Sequence, residues 1–344
     1  MPDTNFGALP TIIGSMPQKE PGKACDLIGR FLKDIPAWPQ LPRRSPDENM
    51  YIQYSEGFPG AVKKDDNIVI ERTPGFNTAM NELYAAYLDN RFDRYPISRD
   101  YAAGLYHCLE RGATKPNAIK GQVAGPVTWG LTVKDTDGRS ILYDDLLGDA
   151  VPRFLKLKAA WEEAVLRRIS PRTIIFFDEP YMAAYGSSST VSLSKEKVVG
   201  LLNEVFSGVG GVKGVHCCGN TDWSVLLSTN ADVLSFDTYN FGSSLGLYPN
   251  DVKGFLARGG AVAWGVVPNT ADGIKKETAA SLRDRLEEAM APFTRGGGGF
   301  SIRDIISQSL VTPSCGLDGL AEDAVPDCFD LLTQLSDRMR EKYV

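Results

Sequence analysis

The chain has 344 residues, of which 43% are hydrophobic and 23% are charged, and its formal net charge is −6. This composition is typical of a globular protein with a large apolar core, and it excludes a disordered, collagen-like or coiled-coil chain. The acidic balance predicts no nucleic-acid partner, because binding through phosphate groups requires a basic surface.

Hydropathy and cysteine content predict a cytoplasmic protein that does not associate with membranes. No apolar run approaches the ~18 residues that a membrane span needs, and residues 1–10 lack the basic and apolar regions of a signal peptide. The six cysteines are too few for a disulfide scaffold in a chain of this length. In a reducing compartment they are expected to be thiols or metal ligands.

Short apolar runs bounded by glycine or proline alternate along the chain with longer segments of helical periodicity. The predicted strands are residues 9–13, a weaker one at 51–54, then 118–123, 173–177, 214–216, 233–236, 261–264 and 310–312. The predicted helices are residues 78–92, 101–111, 144–169, 194–206, 275–290 and 320–343.

This alternation predicts an α/β fold with parallel strands that helices cover on both faces. About eight strand–helix units over this length favour a single (β/α)8 TIM barrel, which makes residues 1–344 one domain. Residues 35–67 are rich in proline and charge, and they are predicted to be an insertion after the first strand–helix unit. An open doubly wound sheet is the alternative, but no G-x-G-x-x-G motif follows the first strand.

The most informative reactive side chains lie at the end of a predicted strand, where His216 and Cys218 are two residues apart. Side chains at i and i+2 of a strand face the same side, and Cys217 therefore faces the other. Cys315 and Asp237 also follow predicted strands, and the carboxyl ends of barrel strands converge at one mouth. His216, Cys218 and Cys315 predict a Zn²⁺ site with Asp237 as a fourth, displaceable ligand. The alternative is that the cysteines are small buried apolar side chains.

The donor set of this predicted site indicates a particular kind of chemistry. A zinc ion with two thiolates and one imidazole carries little net positive charge, and it is therefore poorly suited to generating hydroxide. Such an ion lowers the pKa of a bound thiol, so that the thiolate persists at neutral pH. The predicted reaction is alkyl transfer to sulfur.

Several short motifs at the predicted strand ends occur in a characteristic order. They are residues 11–18 (TIIGSMPQ), 125–128 (GPVT) and 177–180 (FDEP), followed by the His-x-Cys pair, Asp237 and residues 315–317 (CGL). In this order the chain resembles the catalytic barrel of cobalamin-independent methionine synthase, as in the core methionine synthases. That family lies within the superfamily of uroporphyrinogen decarboxylase and the coenzyme M methyltransferases. The resemblance implies a single catalytic TIM barrel and zinc-dependent transfer of a methyl group to the thiol of homocysteine, which gives methionine.

The resemblance also implies roles for residues that would hold the amino-acid substrate. Ile13 and Ser15 resemble the backbone and side-chain contacts to the substrate carboxylate. Asp178 resembles the catalytic-site residue that anchors the substrate ammonium group, and Glu56 resembles a second carboxylate around it. The alternatives are a helix N-cap for Asp178, a turn residue for Ser15 and a solvated loop for Glu56.

The metal ligands follow the family pattern with one departure. His216, Cys218 and Cys315 resemble the family's zinc ligands. Asp237 stands where the family usually has a ligating glutamate, so its carboxylate is one methylene shorter. The fourth coordination position is therefore expected to be filled by Asp237 or by water.

Two further departures bear on the methyl donor. The chain is far shorter than the two-barrel enzymes, and residues 264–269 (WGVVPN) lack the histidine that serves as an acid there. Transfer from a folate nitrogen requires a proton donor, whereas methylcobalamin releases a corrinoid that leaves without a proton. The predicted donor is methylcobalamin or a methylated corrinoid protein. Methyltetrahydrofolate is the alternative donor, and another thiol such as coenzyme M is the alternative acceptor.

Two interpretations from other functional classes stay open at this point. A tetrapyrrole decarboxylase works without a metal and needs no His-Cys-Cys group. A binding protein with a structural zinc needs four firm ligands, often in Cys-x-x-Cys pairs. The sequence has a single uncertain fourth ligand and no such pair at this site.

Overall fold

The computed structural model describes residues 3–111, 115–187, 190, 193–295 and 299–344. The strands in this part of the chain are β1 (Leu9–Pro10), β2 (Ala61–Lys64), β3 (Asn67–Ile70), β4 (Ile119–Ala124), β5 (Lys134–Asp135), β6 (Thr173–Asp178), β7 (Val212–Cys217), β8 (Val233–Phe236), β9 (Ala261–Val267) and β10 (Ser309–Pro313). Seven of them form a parallel sheet in the order β1–β10–β9–β8–β7–β6–β4, and β2–β3–β5 form a second, small sheet.

Helices pack against the large sheet: α6 contacts β4 and β6, α12 contacts β9, and α14 contacts β10. The α-helices of the described residues are α1 (Pro21–Phe31), α2 (Met50–Gln53), α3 (Phe76–Leu88), α4 (Ala103–Glu110), α5 (Pro126–Thr132), α6 (Asp145–Leu166), α7 (Lys195–Phe206), α8 (Trp223–Leu227), α9 (Thr238–Phe241), α10 (Pro249–Ala257), α11 (Ala271–Lys276), α12 (Ala279–Thr294), α13 (Ile302–Ser307) and α14 (Val325–Tyr343). None of these helices is long and apolar enough to span a membrane.

Polar side chains determine where several of the long helices begin. Asp144 accepts hydrogen bonds from the backbone of Leu146 and Leu147 at the start of α6. Ser194 accepts one from Lys197 at the start of α7. Such N-caps satisfy backbone donors that have no partner within the helix, and they explain why these predicted helix starts agree closely with the structure.

The strands of the large sheet have apolar side chains on both faces, and these belong to two separate clusters. In β6, Ile174 and Phe176 belong to an inner cluster, whereas Ile175 and Phe177 belong to the cluster that packs against the helices. The alternation follows from the two-residue period of a strand. It also places Asp178, the last residue of β6, on the inner side.

An extended segment at residues 36–40 connects the two edges of the large sheet. Gln40 forms a parallel bridge with Ser15, which follows β1, and Ala37 forms one with Lys120 in β4. The sheet is therefore curled. Its seven strands and these isolated bridges establish an α/β fold with a curled parallel sheet, while the eighth strand–helix unit and the single domain over residues 1–344 remain predictions.

Two local predictions are wrong. Residues 51–54 do not form a strand, because the Asn49 side chain caps a short helix, α2, by accepting a hydrogen bond from the Tyr51 backbone at 3.0 Å. The helix predicted at 275–290 is two helices, α11 and α12, because Thr278 starts a new helix with a capping box. The segment 35–67, which was predicted to be an insertion, also contributes to the large sheet, because residues 36–40 within it form bridges to both sheet edges.

Candidate metal centre and adjoining cavity

A cavity of about 220 Å³ lies at the carboxyl ends of the central strands. It is smaller than the ~300–1,000 Å³ pockets that hold drug-sized ligands, and it suits a smaller molecule. The residues predicted for the site that line this cavity are Ile13, Ser15, Asp178, His216, Cys218 and Cys315. The structure therefore brings together side chains from β6, β7 and the segments that follow β1 and β10.

His216, Cys218 and Cys315 form a compact group in the lining of this cavity. Each offers one ligand atom, and these atoms lie within 4.8 Å of one another. Within the part of the chain that is described, Nε2 of His216 is buried without a hydrogen-bond partner. One unpartnered imidazole nitrogen beside two sulfur atoms fits the donor set of a zinc ion.

The neighbouring strand orients the His216 ring. Ser235 of β8 is the register partner of His216, and its Oγ lies 2.9 Å from Nδ1 of the imidazole. When Nδ1 carries the proton and donates it to this hydroxyl, the lone pair of Nε2 is free to bind a metal. Partners of this kind fix both the tautomer and the direction of a ligating histidine.

Asn269 holds the loop that carries Cys315. Its Nδ2 donates a hydrogen bond to the carbonyl of Gly316 at 3.1 Å, and its Oδ1 accepts one from Ser314 Oγ at 3.1 Å. The Asn269 side chain is therefore hydrogen-bonded to Ser314 and Gly316, the residues on either side of Cys315. Asn269 is the last residue of the stretch 264–269 that lacks the family's histidine, and no motif in the sequence indicates its part in holding the loop.

The two thiols are chemically unequal. The hydrogen bond from Cys315, together with the nearby His216 ring, lowers the pKa of Cys218 to about 4. The same hydrogen bond, together with burial, raises the pKa of Cys315. A cysteine that is a thiolate at neutral pH already has the protonation state that metal binding requires.

Asp178 brings an unsatisfied carboxylate to the cavity. The side chain is 7% exposed, and Oδ1 is buried with no hydrogen-bond partner among the described residues. Burial raises the pKa of Asp178 to about 6, against the opposing effect of His216 and Lys120. The alternative role as a helix N-cap does not apply, because Glu179 occupies the N-cap of the following 3-10 helix. A buried carboxylate of this kind is costly unless a ligand supplies a donor.

The loop after β1 lies against the inner face of the curled sheet and the Cys315 loop. Ile13 O accepts a hydrogen bond from the buried Lys120 Nζ at 2.5 Å, and Ser15 Oγ donates one to Asp318 at 2.8 Å. A Cβ on Gly14 would lie 2.5 Å from the Gln122 side chain, so only glycine allows this close approach. Lys120 and Asp318 were not foreseen from the sequence.

Glu56 and Asp237 are placed differently from the sequence-based expectation. Glu56 lies outside the cavity, and its Oε2 accepts a hydrogen bond from the Ser98 backbone at 2.7 Å. Asp237 is outside the compact ligand group, because its carboxylate caps α9 by accepting hydrogen bonds from Asn240 N and Nδ2 at 2.8 and 2.7 Å. The acid that does line the cavity beside Asp178 and Asp318 is Glu48, for which the sequence carries no clear signal.

Glu48 is buried and already has partners. Its Oε2 accepts a hydrogen bond from the Leu41 backbone at 3.0 Å, and its Oε1 accepts one from Arg44 at 2.7 Å. Burial raises the pKa of Glu48 to about 7. Its carboxylate therefore differs from that of Asp178, which has an oxygen left for a ligand.

The chain matches no protein-family model and no curated protein. Several solved structures share its fold at low sequence identity. A methyltransferase from Methanosarcina mazei is 16% identical with a TM-score of 0.56, over 93% of this chain and 82% of that one. A protein provisionally named vitamin-B12-independent methionine synthase, from Listeria monocytogenes, is 13% identical with a TM-score of 0.52, over 94% of this chain and 84% of that one.

A third structure is a B12-independent methionine synthase from Shewanella in complex with selenomethionine. It is 19% identical with a TM-score of 0.49, over 69% of this chain and 67% of that one. At these identities the likeness establishes the fold alone.

Proposed function

We propose that the protein is a zinc-dependent methyltransferase that transfers a methyl group to the thiol of homocysteine and so forms methionine. The observation that carries this proposal is the shared cavity of Asp178 and the His-Cys-Cys group. Homocysteine has a thiol at one end and an ammonium group at the other. It is therefore a molecule that would engage both halves of the cavity at once.

His216, Cys218 and Cys315 would hold the zinc ion, while Ser235 and Asn269 keep two of these ligands in place. When bound, zinc would supply a Lewis acid that keeps an acceptor thiol in its nucleophilic thiolate form at neutral pH. The chain itself contributes orientation, since the histidine and the Cys315 loop are fixed by hydrogen bonds that do not involve the substrate.

Asp178 would bind the ammonium group of the acceptor. An ammonium donor would satisfy Oδ1 and offset the burial of the carboxylate, because charge-assisted hydrogen bonds are stronger than neutral ones. The loop that contains Ile13 and Ser15 lines the same cavity and would hold the acceptor carboxylate. An acceptor without an amino group, such as coenzyme M, would leave Asp178 unsatisfied.

We propose methylcobalamin or a methylated corrinoid protein as the methyl donor. The Asn269 side chain is engaged by Ser314 and Gly316, and an amide is too weak an acid to protonate a leaving nitrogen. The histidine outside the ligand group, His107, packs against Gly22 of α1, away from the cavity. A corrinoid leaving group needs no acid, whereas a folate nitrogen does.

The decisive experiment compares methyl donors on zinc-loaded protein, with methionine formation as the readout. We expect methylcobalamin to support turnover at least about 100-fold faster than methyltetrahydrofolate, which is the lower end of the effect of one general acid. Equal turnover with both donors would contradict the donor assignment. Methylation of coenzyme M in preference to homocysteine would contradict the acceptor assignment.

A pair of adjacent cysteines provides the matched control for the metal centre. Cys218→Ser should lose zinc and activity together, because it removes one of three ligands. Cys217→Ala should keep both zinc and activity. Cys217 is buried in the apolar cluster that packs against the helices, and it does not line the cavity. Full activity in a zinc-free Cys218→Ser protein would overturn the role of the metal.

A further inference from the structure

Two cysteines outside the proposed metal centre lie in direct contact. Cys25 belongs to α1 and Cys108 to α4, and their sulfur atoms are 2.8 Å apart. A disulfide bond is about 2.05 Å long, so the two atoms would need to approach by only about 0.8 Å to form one. The helices that carry them pack against each other, so no large rearrangement stands between contact and bond.

A cavity of about 470 Å³ gives access to this pair. Cys25 is buried, whereas Cys108 is half-buried, and both line the cavity. The cavity reaches Ile119 at the amino end of β4, the opposite end of that strand from the proposed metal centre. A reagent could therefore reach Cys108 without entering the catalytic cavity.

The charged lining of this cavity favours an anionic reagent. Arg30, Lys33 and Arg111 contribute three cations, and Asp26, which pairs with Arg111 at 2.6 Å, is the one acid among the described residues of the lining. A cleft lined by one sign of charge raises the local concentration of oppositely charged small molecules. The lining thus suits a small disulfide that carries carboxylates.

We propose that Cys25 and Cys108 form a thiol–disulfide exchange site that small anionic disulfides, such as glutathione disulfide, oxidise to an intramolecular disulfide. The thiolate of Cys108 attacks one sulfur of the reagent, the reagent's S–S bond breaks, and one thiolate leaves and takes up a proton. Cys25 then loses its proton and attacks the Cys108 sulfur, releasing the second thiol. The protein gives up two protons and two electrons, and the reagent is reduced to two thiols.

The order of attack follows from the surroundings of each sulfur. The hydrogen bond that the Cys25 thiol donates to Cys108, together with burial, raises the pKa of Cys25, so Cys25 keeps its proton until the mixed disulfide has formed. Cys108 is the more exposed of the two and is the one a reagent meets first. The completed bond would tie α1 to α4 and restrict the unfolded chain between them, which stabilises the folded state.

The test uses the full, zinc-loaded chain and glutathione disulfide as the probe. After incubation and alkylation of the remaining thiols, we expect the loss of two alkylatable thiols and a linked peptide that joins Cys25 to Cys108. The midpoint of thermal unfolding should rise by a few degrees and return to its starting value on reduction. An unchanged thiol count, or a linked peptide that joins Cys218 to Cys315, would overturn the proposal.

Variants separate the two steps of the exchange. Cys25→Ser should stop at a glutathione adduct on Cys108, Cys108→Ser should leave Cys25 unmodified, and Cys328→Ser should oxidise like the parent because Cys328 is buried elsewhere. The neutral hydroxyethyl disulfide should react severalfold more slowly than glutathione disulfide at low salt, and Arg111→Ala should reduce that preference. Equal rates for the two reagents in the parent would contradict the part assigned to the cationic cavity.

Discussion

Asp178 is the residue whose substitution most directly tests acceptor recognition. Asp178→Asn keeps the size of the side chain and removes the charge that would face the ammonium group of homocysteine. Since hydrogen bonds to charged groups contribute about 1.5–3 kcal/mol, the KM for homocysteine should rise about 10- to 100-fold. Steady-state kinetics on zinc-loaded protein would measure this, and methylation of a thiol that lacks an amino group should change much less.

Glu56→Gln is the matched control for that substitution. The resemblance implies that Glu56 is a second carboxylate around the ammonium group, yet its Oε2 accepts a hydrogen bond from Ser98 outside the cavity. A glutamine can keep that acceptor, so the KM for homocysteine should stay within about twofold of the parent, the small change typical of sites away from special features. A rise equal to that of Asp178→Asn would restore the role implied by the resemblance.

A second residue-scale prediction concerns pH and stability. Glu162 is buried, and burial raises the pKa of its carboxyl group from 4.5 to about 8. Between these values the unfolded chain has lost this proton while the folded chain still holds it. The unfolded state thus binds fewer protons, and the contribution of Glu162 to stability falls as the pH rises from 4.5 to about 8.

Glu162→Gln should remove this part of the pH dependence. Glutamine keeps a carbonyl oxygen for Trp38 Nε1 and Gln122 N, which Glu162 Oε1 accepts at 2.8 and 2.9 Å, and it has no proton to lose. In urea unfolding at about pH 5 and about pH 9, the variant should gain stability relative to the parent at the higher pH. Parallel pH profiles for the two proteins would show that Glu162 does not titrate in this range.

At the scale of elements, the register between β7 and β8 places Ser235 beside His216. Ser235→Ala removes the partner of Nδ1 and frees the ring to rotate or change tautomer. Loss of such a partner typically weakens metal binding about 10- to 100-fold, and we expect a zinc dissociation constant raised by that factor. A competitive titration against a coloured chelator would measure it.

Ser309→Ala is a fitting control for this prediction. Ser309 is also a buried serine of the large sheet, but it lies at the other end of its strand from the ligand group. Its Oγ donates a hydrogen bond to Ile305 O and accepts one from Trp264 Nε1. The variant should unfold more easily, because a buried donor loses its partner, and yet keep the zinc affinity of the parent. Equal losses of zinc affinity in both variants would indicate a general loosening of the sheet.

Most strand positions could be predicted because strands such as β6, β8 and β9 are short apolar runs buried on both faces. The strands around Thr173–Asp178 and Val233–Phe236 were predicted within one residue of their ends. The segment at residues 36–40 escaped prediction because it joins the sheet through isolated bridges, which leave no periodic pattern. Its pairing with Ser15 and Lys120 depends on contacts far away in the chain.

The same reasoning explains which site residues could be foreseen. Asp178, His216 and Cys218 lie at or just after strand ends, and the two-residue period indicates which way they face. Glu48, Asn269 and Asp318 come from loops, whose direction depends on tertiary hydrogen bonds that no local pattern reveals.

At the scale of the whole molecule, a bound metal would link distant parts of the sheet. Its ligands come from the end of β7 and from the loop after β10, and β8 and β9 lie between these strands in the sheet. The unfolded chain does not hold these ligands together, so zinc would bind the folded state in preference. A free metal concentration of ~100 times the dissociation constant then adds about 2.7 kcal/mol to the free energy of unfolding.

Removal of zinc by a chelator should therefore lower the midpoint of thermal unfolding of the parent protein, and added zinc should restore it. Cys218→Ser should be insensitive to both treatments, because it lacks a ligand, whereas Cys217→Ala should respond like the parent from a lower starting stability. The contrary result is a parent protein that binds one zinc ion per chain and yet shows the same midpoint of thermal unfolding with and without chelator. In that case His216, Cys218 and Cys315 do not link β7 to β10 through the metal. Scanning calorimetry with and without chelator makes this distinction, since it measures stability independently of any methyl donor or acceptor.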